Sequence, residues 1–212
     1  MIEDIHWLGH DSFRLDGSST VYIDPWKLGE DPPPADLVLV THDHYDHLSA
    51  GDIAKVATPA TTVVGPASVT AQLEGLTTIT MSPGDAVTVG SVTVTAVPAY
   101  NVDKFRAPGE VFHPRAAGHV GYIVELDGRR IYHAGDTDKI PEMAAVRCDI
   151  ALLPVSGTYV MTADEAAEAC GIISAAAVVP MHFGDIVGTA ADAARFERLC
   201  GLPVTVLSPE HD

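Results

Sequence analysis

Leu37-Val38-Leu39-Val40-Thr41-His42-Asp43-His44-Tyr45-Asp46-His47-Leu48 runs four apolar residues straight into three histidines and two aspartates packed within six positions. An apolar run this short has the pattern of a strand buried on both faces of an α/β sheet. The imidazoles and carboxylates then begin at the strand's C-terminal end, where such sheets place their sites. His42 and His44 stand two apart, so in extended chain both rings project to one side and can share a cation. Asp46 and His47 follow where the chain turns towards a helix N-capped by Ser49, and so address a second cation beside the first. Neutral imidazole and carboxylate, with no cysteine in the motif, suit Zn2+ or Mn2+.

Upstream of this stretch, residues 5–8, 12–15 and 20–24 read as short strands, the last two joined through Asp16-Gly17-Ser18. Pro32-Pro33-Pro34 makes residues 26–36 a connecting loop. Downstream, the pattern predicts a helix over 50–57, a strand over 61–64 and a helix over 67–74 opened by Pro66, so the chain makes a parallel crossover. Residues 77–80, 86–89 and 92–97, rich in Val and Thr, read as a β-meander. Residues 98–117 form a long loop, which in a compact domain is usually functional. Asp127-Gly128 joins strands over 118–126 and 130–133 into a hairpin. Strands follow at 149–153 and 176–181, and between them Thr162-Ala163-Asp164-Glu165 opens a helix reaching Ile173 as a capping box. An amphipathic helix over 190–199 and a strand over 204–207 complete one domain spanning 1–212.

Two cations at strand ends call for ligands from later strands. Arg130-Ile131-Tyr132-His133-Ala134-Gly135-Asp136-Thr137 is a strand ending in Gly-Asp, where Gly135 permits a tight turn and the Asp136 carboxylate can bridge both ions. Val178-Val179-Pro180-Met181-His182 is a buried strand ending in histidine, and His182 is assigned to the second ion.

At its Thr-His-x-His-x-Asp-His motif the chain resembles the metallo-β-lactamase-fold hydrolase superfamily. The resemblance extends from Gly9-His10 through Ile23-Asp24-Pro25 and the Gly135-Asp136 turn to Met181-His182. The Gly-His start is similar to that of a subgroup containing ascorbate-6-phosphate lactonase-like proteins and relatives of N-acyl phosphatidylethanolamine phospholipase D. The resemblance implies an α/β fold, the αββα four-layer sandwich of two mixed sheets with helices on the outer faces. It also implies a hydrolase with two divalent ions, Zn2+ or Mn2+, using a metal-bound hydroxide on a small anionic ester, lactone or phosphodiester. Asp136 would then bridge the ions and Asp46 relay a proton. The superfamily pattern further places a loop histidine in the first site, but Val97-Pro98-Ala99 is followed here by Tyr100-Asn101. His113 is the first choice as its substitute, with Asn101 and His119 as alternatives. His10, Asp24 and His133 are candidates for orienting ligands. A mononuclear iron oxygenase on the same fold, or a non-catalytic binder of a metal or metabolite, remains the alternative.

The formal charge of −17, from 29 acidic against 12 basic residues, argues against a sequence-independent nucleic-acid binder, which needs a basic footprint. Only four of those bases are lysine, a balance expected of a protein working at high salt. Lys104, Arg106 and Arg115 cluster on the long loop against this acidic background and point to an anionic substrate. Ser156, Thr158 and Tyr159 are placed to offer hydroxyls to it. Cys148, Cys170 and Cys200 form no C-x-x-C pair, which predicts no disulfide framework and a reducing cytoplasm. Cys170 reads as a buried small residue. The N-terminal residues carry no signal-peptide pattern, and no run of eighteen apolar residues occurs. The expectation is a soluble protein without a membrane partner, free to form a homo-oligomer.

Overall fold

In a computed structural model, which describes residues 2–210, the first sheet lays out β1 (Ile5–Gly9), β2 (Ser12–Leu15), β3 (Val21–Ile23), β4 (Leu37–Leu39), β5 (Thr62–Gly65) and β6 (Thr77–Thr80) in that spatial order. β1 to β3 pair antiparallel and β3 to β6 parallel. Two helices make the parallel crossovers, α1 (Ala50–Val56) between β4 and β5 and α2 (Ala67–Thr70) between β5 and β6. Alternation along β4 serves two layers at once. Leu37 and Leu39 join the large core between the sheets, while Val38 and Val40 pack with Ile53, Val56 and Val69 in the helix layer.

The second sheet contains β7 (Ala86–Val89), β8 (Val92–Pro98), β11 (Val120–Leu126), β12 (Arg129–His133), β13 (Ile150–Pro154) and β14 (Ala177–Met181), in the spatial order β14-β13-β12-β11-β8-β7. A separate hairpin, β9 (Phe105–Ala107) with β10 (Glu110–Val111), stands in the loop after β8. α3 (Ala163–Cys170) and α4 (Ala190–Leu199) cover this sheet. The result is the αββα sandwich of two mixed sheets. Its shared core buries Phe13 and Phe196 completely, and each such ring contributes about 1.5–3 kcal/mol.

Local signals hold where their chemistry is local. Ser49 caps α1 through the Asp52 N–H, and Thr162 and Glu165 close a capping box on α3. Asp127 and Gly128 both adopt positive φ, 51° and 75°, as a two-residue hairpin turn requires.

Five expectations are corrected. The meander does not form, because β6 pairs parallel with β5 as the end of a second crossover, and residues 81–85 carry the chain to the other sheet. The loop over 98–117 holds the β9–β10 hairpin and a 3-10 turn at Arg115–Ala117. The helix expected over 67–74 stops at Thr70, and α3 stops at Cys170, as each gives way to i→i−3 hydrogen bonds. Val204 makes only a single bridge to Val178, next to Pro203, which has no N–H to extend the pairing. Among the described residues no helix is long and apolar enough to cross a membrane.

Candidate metal centre

The C-terminal ends of β4, β12 and β14 meet the β1–β2 turn at one place between the sheets. Gly135 is essential to the meeting. It adopts φ 63°, and a Cβ there would lie 2.9 Å from the Val120 carbonyl oxygen, so only glycine turns the chain and aims Asp136 inward.

Two groups of ligand atoms result, each with all its members within 4.8 Å of one another. One contains His42, His44, His113 and Asp136, the other His10, Asp11, His47 and His182. Asp136 joins them by dividing its oxygens. Its Oδ2 lies 3.2 Å from His113 Nε2, and its Oδ1 lies 3.4 Å from His182 Nε2 and 3.5 Å from His47 Nε2. In the first group His44 Nδ1 lies 2.9 Å from His42 Nε2 and 3.1 Å from His113 Nε2. A tetrahedral ion with bonds of about 2.0–2.1 Å spaces its ligand atoms about 3.3–3.4 Å apart. The observed separations lie within half an ångström of that value.

The second nitrogen of each buried imidazole explains the orientation. His47 Nδ1 donates to Asp24 Oδ2 at 2.7 Å, and His113 Nδ1 donates to Asn101 Oδ1 at 2.9 Å. The Thr41 hydroxyl gives its proton to Asp24 at 2.6 Å and so accepts from His42 Nδ1 at 3.0 Å. The Ser156 hydroxyl donates to the Thr158 carbonyl and accepts from His182 Nδ1 at 2.9 Å. In all four rings Nδ1 is engaged by a fixed partner, and Nε2 faces the centre.

Burial and the carboxylates oppose each other across the centre. It pushes the His113 ring down to about 4 despite Asp136, and holds His42 well below the usual imidazole range. Burial also opposes charge on His182, but the Asp136 and Asp11 carboxylates outweigh it and raise that ring to about 9. Among the described residues Asp11 Oδ1 and Oδ2, Asp136 Oδ1, His47 Nε2, His182 Nε2 and His10 Nδ1 are buried without a hydrogen-bond partner. Each unpartnered buried group costs about 1–3 kcal/mol, and charged ones more. Lone pairs converging from five side chains across two packed sheets fit a divalent cation.

Of the residues singled out from sequence, His42, His44, His47, His113, Asp136 and His182 converge here. Asp46 stands at the edge, outside both groups. Its Oδ2 lies 3.2 Å from His10 Nε2 and 3.9 Å from His47 Nε2. Asn101 supports His113 rather than competing with it, because its oxygen is occupied by that residue. His119 stays outside both groups, beside the His42 ring with its Nε2 3.6 Å from Asp43. His133 accepts from the Gly135 N–H and donates through Nε2 to the Asp11 carbonyl, tying the Asp136 turn to the β1–β2 turn. Asp11 was not legible as a site residue. The available signal was an acid directly after Gly9-His10, in a turn where Gly9 has φ 103° and His10 φ 50°.

A cavity of about 400 Å3 opens on His44, His113 and Asp136 between Tyr45, Phe112, Tyr159 and Ile186. Lys104, Arg106 and Arg115 do not line it. Lys104 is paired with Asp103 and Glu165, Arg106 with Glu110 and Arg115 with Glu142. The loop cations are thus neutralised by their neighbours. A larger hollow of about 470 Å3 lies among Trp7, Trp26 and Phe183, and of the two ligand groups only His10 borders it.

Comparison with known proteins covers nearly the whole chain. Residues 4–182 match the family described as Beta-lactamase superfamily domain. A protein of Methanoculleus marisnigri named UPF0173 metal-dependent hydrolase is 35% identical over 212 residues, spanning 96% of this chain and 92% of that one. The crystal structure of a protein from Parabacteroides distasonis, provisionally assigned as a metal-dependent hydrolase, has a TM-score of 0.84 at 31% identity and covers 95% and 91% of the two chains. Igni18, a metallo hydrolase from Ignicoccus hospitalis, shares the fold at a TM-score of 0.76 and 22% identity, covering 97% and 94%. None of these names specifies a substrate or the lactonase-like subgroup.

Proposed function

We propose that this chain, which belongs to the beta-lactamase superfamily domain family and is a metal-dependent hydrolase of the metallo-β-lactamase fold, works with two divalent ions, Zn2+ or Mn2+, on a small anionic ester, lactone or phosphodiester. The observation that carries the two-ion reading is the division of the Asp136 carboxylate, one oxygen to each ligand group. His42, His44 and His113 would hold one ion with Asp136 Oδ2, and His47 and His182 the other with Asp136 Oδ1. Bound there, such ions would supply a water-derived nucleophile near neutral pH and positive charge for the reacting group.

The side chains do the rest. Thr41, Asp24, Asn101 and Ser156 engage the imidazoles at Nδ1, so that no ligand ring has to reorient during turnover. Asp46 borders the substrate cavity and also contacts His10, the placement a proton relay needs. Tyr45, Phe112, Tyr159 and Ile186 limit the substrate to a small group with an apolar flank. With Lys104, Arg106 and Arg115 already paired, attraction for an anion falls to the bound cations. The three cysteines are unbridged, which supports a cytoplasmic location.

The test is metal analysis of the purified protein together with turnover of a panel of phosphodiesters, lactones and carboxylic esters, with and without chelator. Two ions per chain and chelator-sensitive hydrolysis are expected. Hydrolysis that persists after both ions are removed would overturn the reading.

A further inference from the structure

Asp11 lies in the turn between β1 and β2, fully buried, with neither carboxylate oxygen hydrogen-bonded among the described residues. Its Oδ2 is 3.5 Å from His47 Nε2 and 3.8 Å from His182 Nε2. These distances exclude the simplest alternative, since a charge-assisted hydrogen bond from imidazolium to carboxylate closes to about 2.7–2.9 Å. The Nδ1 atoms of both rings are already engaged with Asp24 and Ser156, so their Nε2 atoms are the ones that face the unpartnered Asp11 carboxylate. An ion between them would satisfy all three groups. With Asp136 Oδ1 at 3.5 and 3.4 Å from the same two nitrogens, the set approaches the edge lengths of a tetrahedral shell, about 3.3–3.4 Å.

The backbone around Asp11 is built to hold it there. His133 Nε2 donates to the Asp11 carbonyl at 2.9 Å, and the His182 N–H donates to the His10 carbonyl at 3.0 Å. Two separate parts of the chain therefore hold the backbone of the Asp11 turn against the centre.

Resting on the two-ion reading above, the geometry points to Asp11 as a ligand of the ion held by His47 and His182. The two sites then differ in chemistry. His42, His44, His113 and Asp136 offer one carboxylate, whereas His47, His182, Asp11 and Asp136, with His10 beside them, offer two. Imidazole suits zinc, and added carboxylate moves a site towards oxygen-preferring ions such as Mn2+. The Asp11 site is the manganese-tolerant half of a mixed centre.

To test this, chelator-treated protein is loaded with one equivalent of Zn2+ and titrated with Mn2+, following free Mn2+ by electron paramagnetic resonance and total ions by mass spectrometry. Wild-type protein is expected to hold one Zn2+ and one Mn2+. Asp11→Asn is expected to keep its Zn2+ and bind Mn2+ at least about tenfold more weakly, the lower end of what even an outer partner's loss produces. Metal-free Asp11→Asn should melt no lower than metal-free wild type, because the carboxylate it replaces is buried without a hydrogen-bond partner, and Asp11→Ser serves the same test should the Asn variant not fold. Equal Mn2+ affinity in wild type and variant would overturn the role of Asp11 alone. Wild-type protein that takes up neither ion would overturn the two-ion reading as well.

Discussion

The Asn101 carboxamide oxygen accepts two hydrogen bonds from His113, one from its backbone N–H at 2.8 Å and one from its ring Nδ1 at 2.9 Å. The same amide donates to Asp138 Oδ1 at 3.1 Å and to the Tyr159 carbonyl at 2.7 Å. One side chain thereby fixes the ring that the loop after β8 delivers to the centre. Asn101→Ala is expected to weaken binding of one ion by about 10–100-fold while the second ion stays bound. Competition with a chromophoric chelator reads both steps.

Asp24 holds the other end of the centre. It accepts from the Thr41 N–H at 2.7 Å, the Thr41 hydroxyl at 2.6 Å and His47 Nδ1 at 2.7 Å, all fully buried. Asp24→Asn keeps the shape but brings an amide N–H against donors. Metal affinity is expected to fall about 10–100-fold and folding stability by about 1–3 kcal/mol, measured by urea unfolding of the metal-free protein. Unfolding curves that coincide with wild type would contradict this.

Chelation should destabilise the fold itself, because ions held by the two ligand groups would tie the two sheets together. At a free ion concentration one hundred times the dissociation constant, each ion adds about 2.7 kcal/mol. The melting temperature is expected to drop on chelator addition and to recover with Zn2+ or Mn2+ but not with Mg2+, which keeps its water shell and prefers oxygen ligands.

Gly135→Ala tests the turn that aims Asp136. The added Cβ would meet the Val120 carbonyl oxygen at 2.9 Å in a residue with φ 63°. A cost of about 1–3 kcal/mol in folding is expected, together with loss of the bridging geometry, so both ions should weaken in the same titration.

Asp52 supplies a pH-dependent contribution away from the centre. Burial opposes its charge, but hydrogen bonds from Lys55, Ser49 and the Lys27 N–H outweigh it and hold the carboxyl below its ordinary value. A depressed carboxylate stabilises the fold fully above its unfolded pKa of about 3.9 and loses that contribution as pH falls through the folded value. Asp52→Asn should therefore be less stable than wild type at pH 7, and the difference should shrink below about pH 4. Denaturant unfolding across that range shows whether the two curves converge.

How much was legible without the fold follows from the range of each interaction. Residues 42–47 announce a centre because ligand types, strand pattern and helix cap all lie within a dozen positions. The capping box at Thr162 and the Asp127-Gly128 turn are equally local. The choice between Asn101 and His113 was not legible. The two act as a pair, twelve residues apart, once the β9–β10 hairpin folds the loop back. Lys104 and Arg115 looked free because Glu165 and Glu142, which pair with them, lie on other elements.

From sequence alone came the family resemblance, the two-sheet architecture it implies and five of the inward-facing donors, His42, His44, His47, Asp136 and His182, since each of the five sits in a strand-end motif whose spacing is set by its own backbone. Which sheet receives β6, where Asp46 turns and why Asp11 belongs to the centre were settled only in three dimensions. Strand partners and buried charges are chosen by contacts between distant segments. A lone acid after a glycine carries no local mark of the two histidines, 36 and 171 residues further on, that will face it.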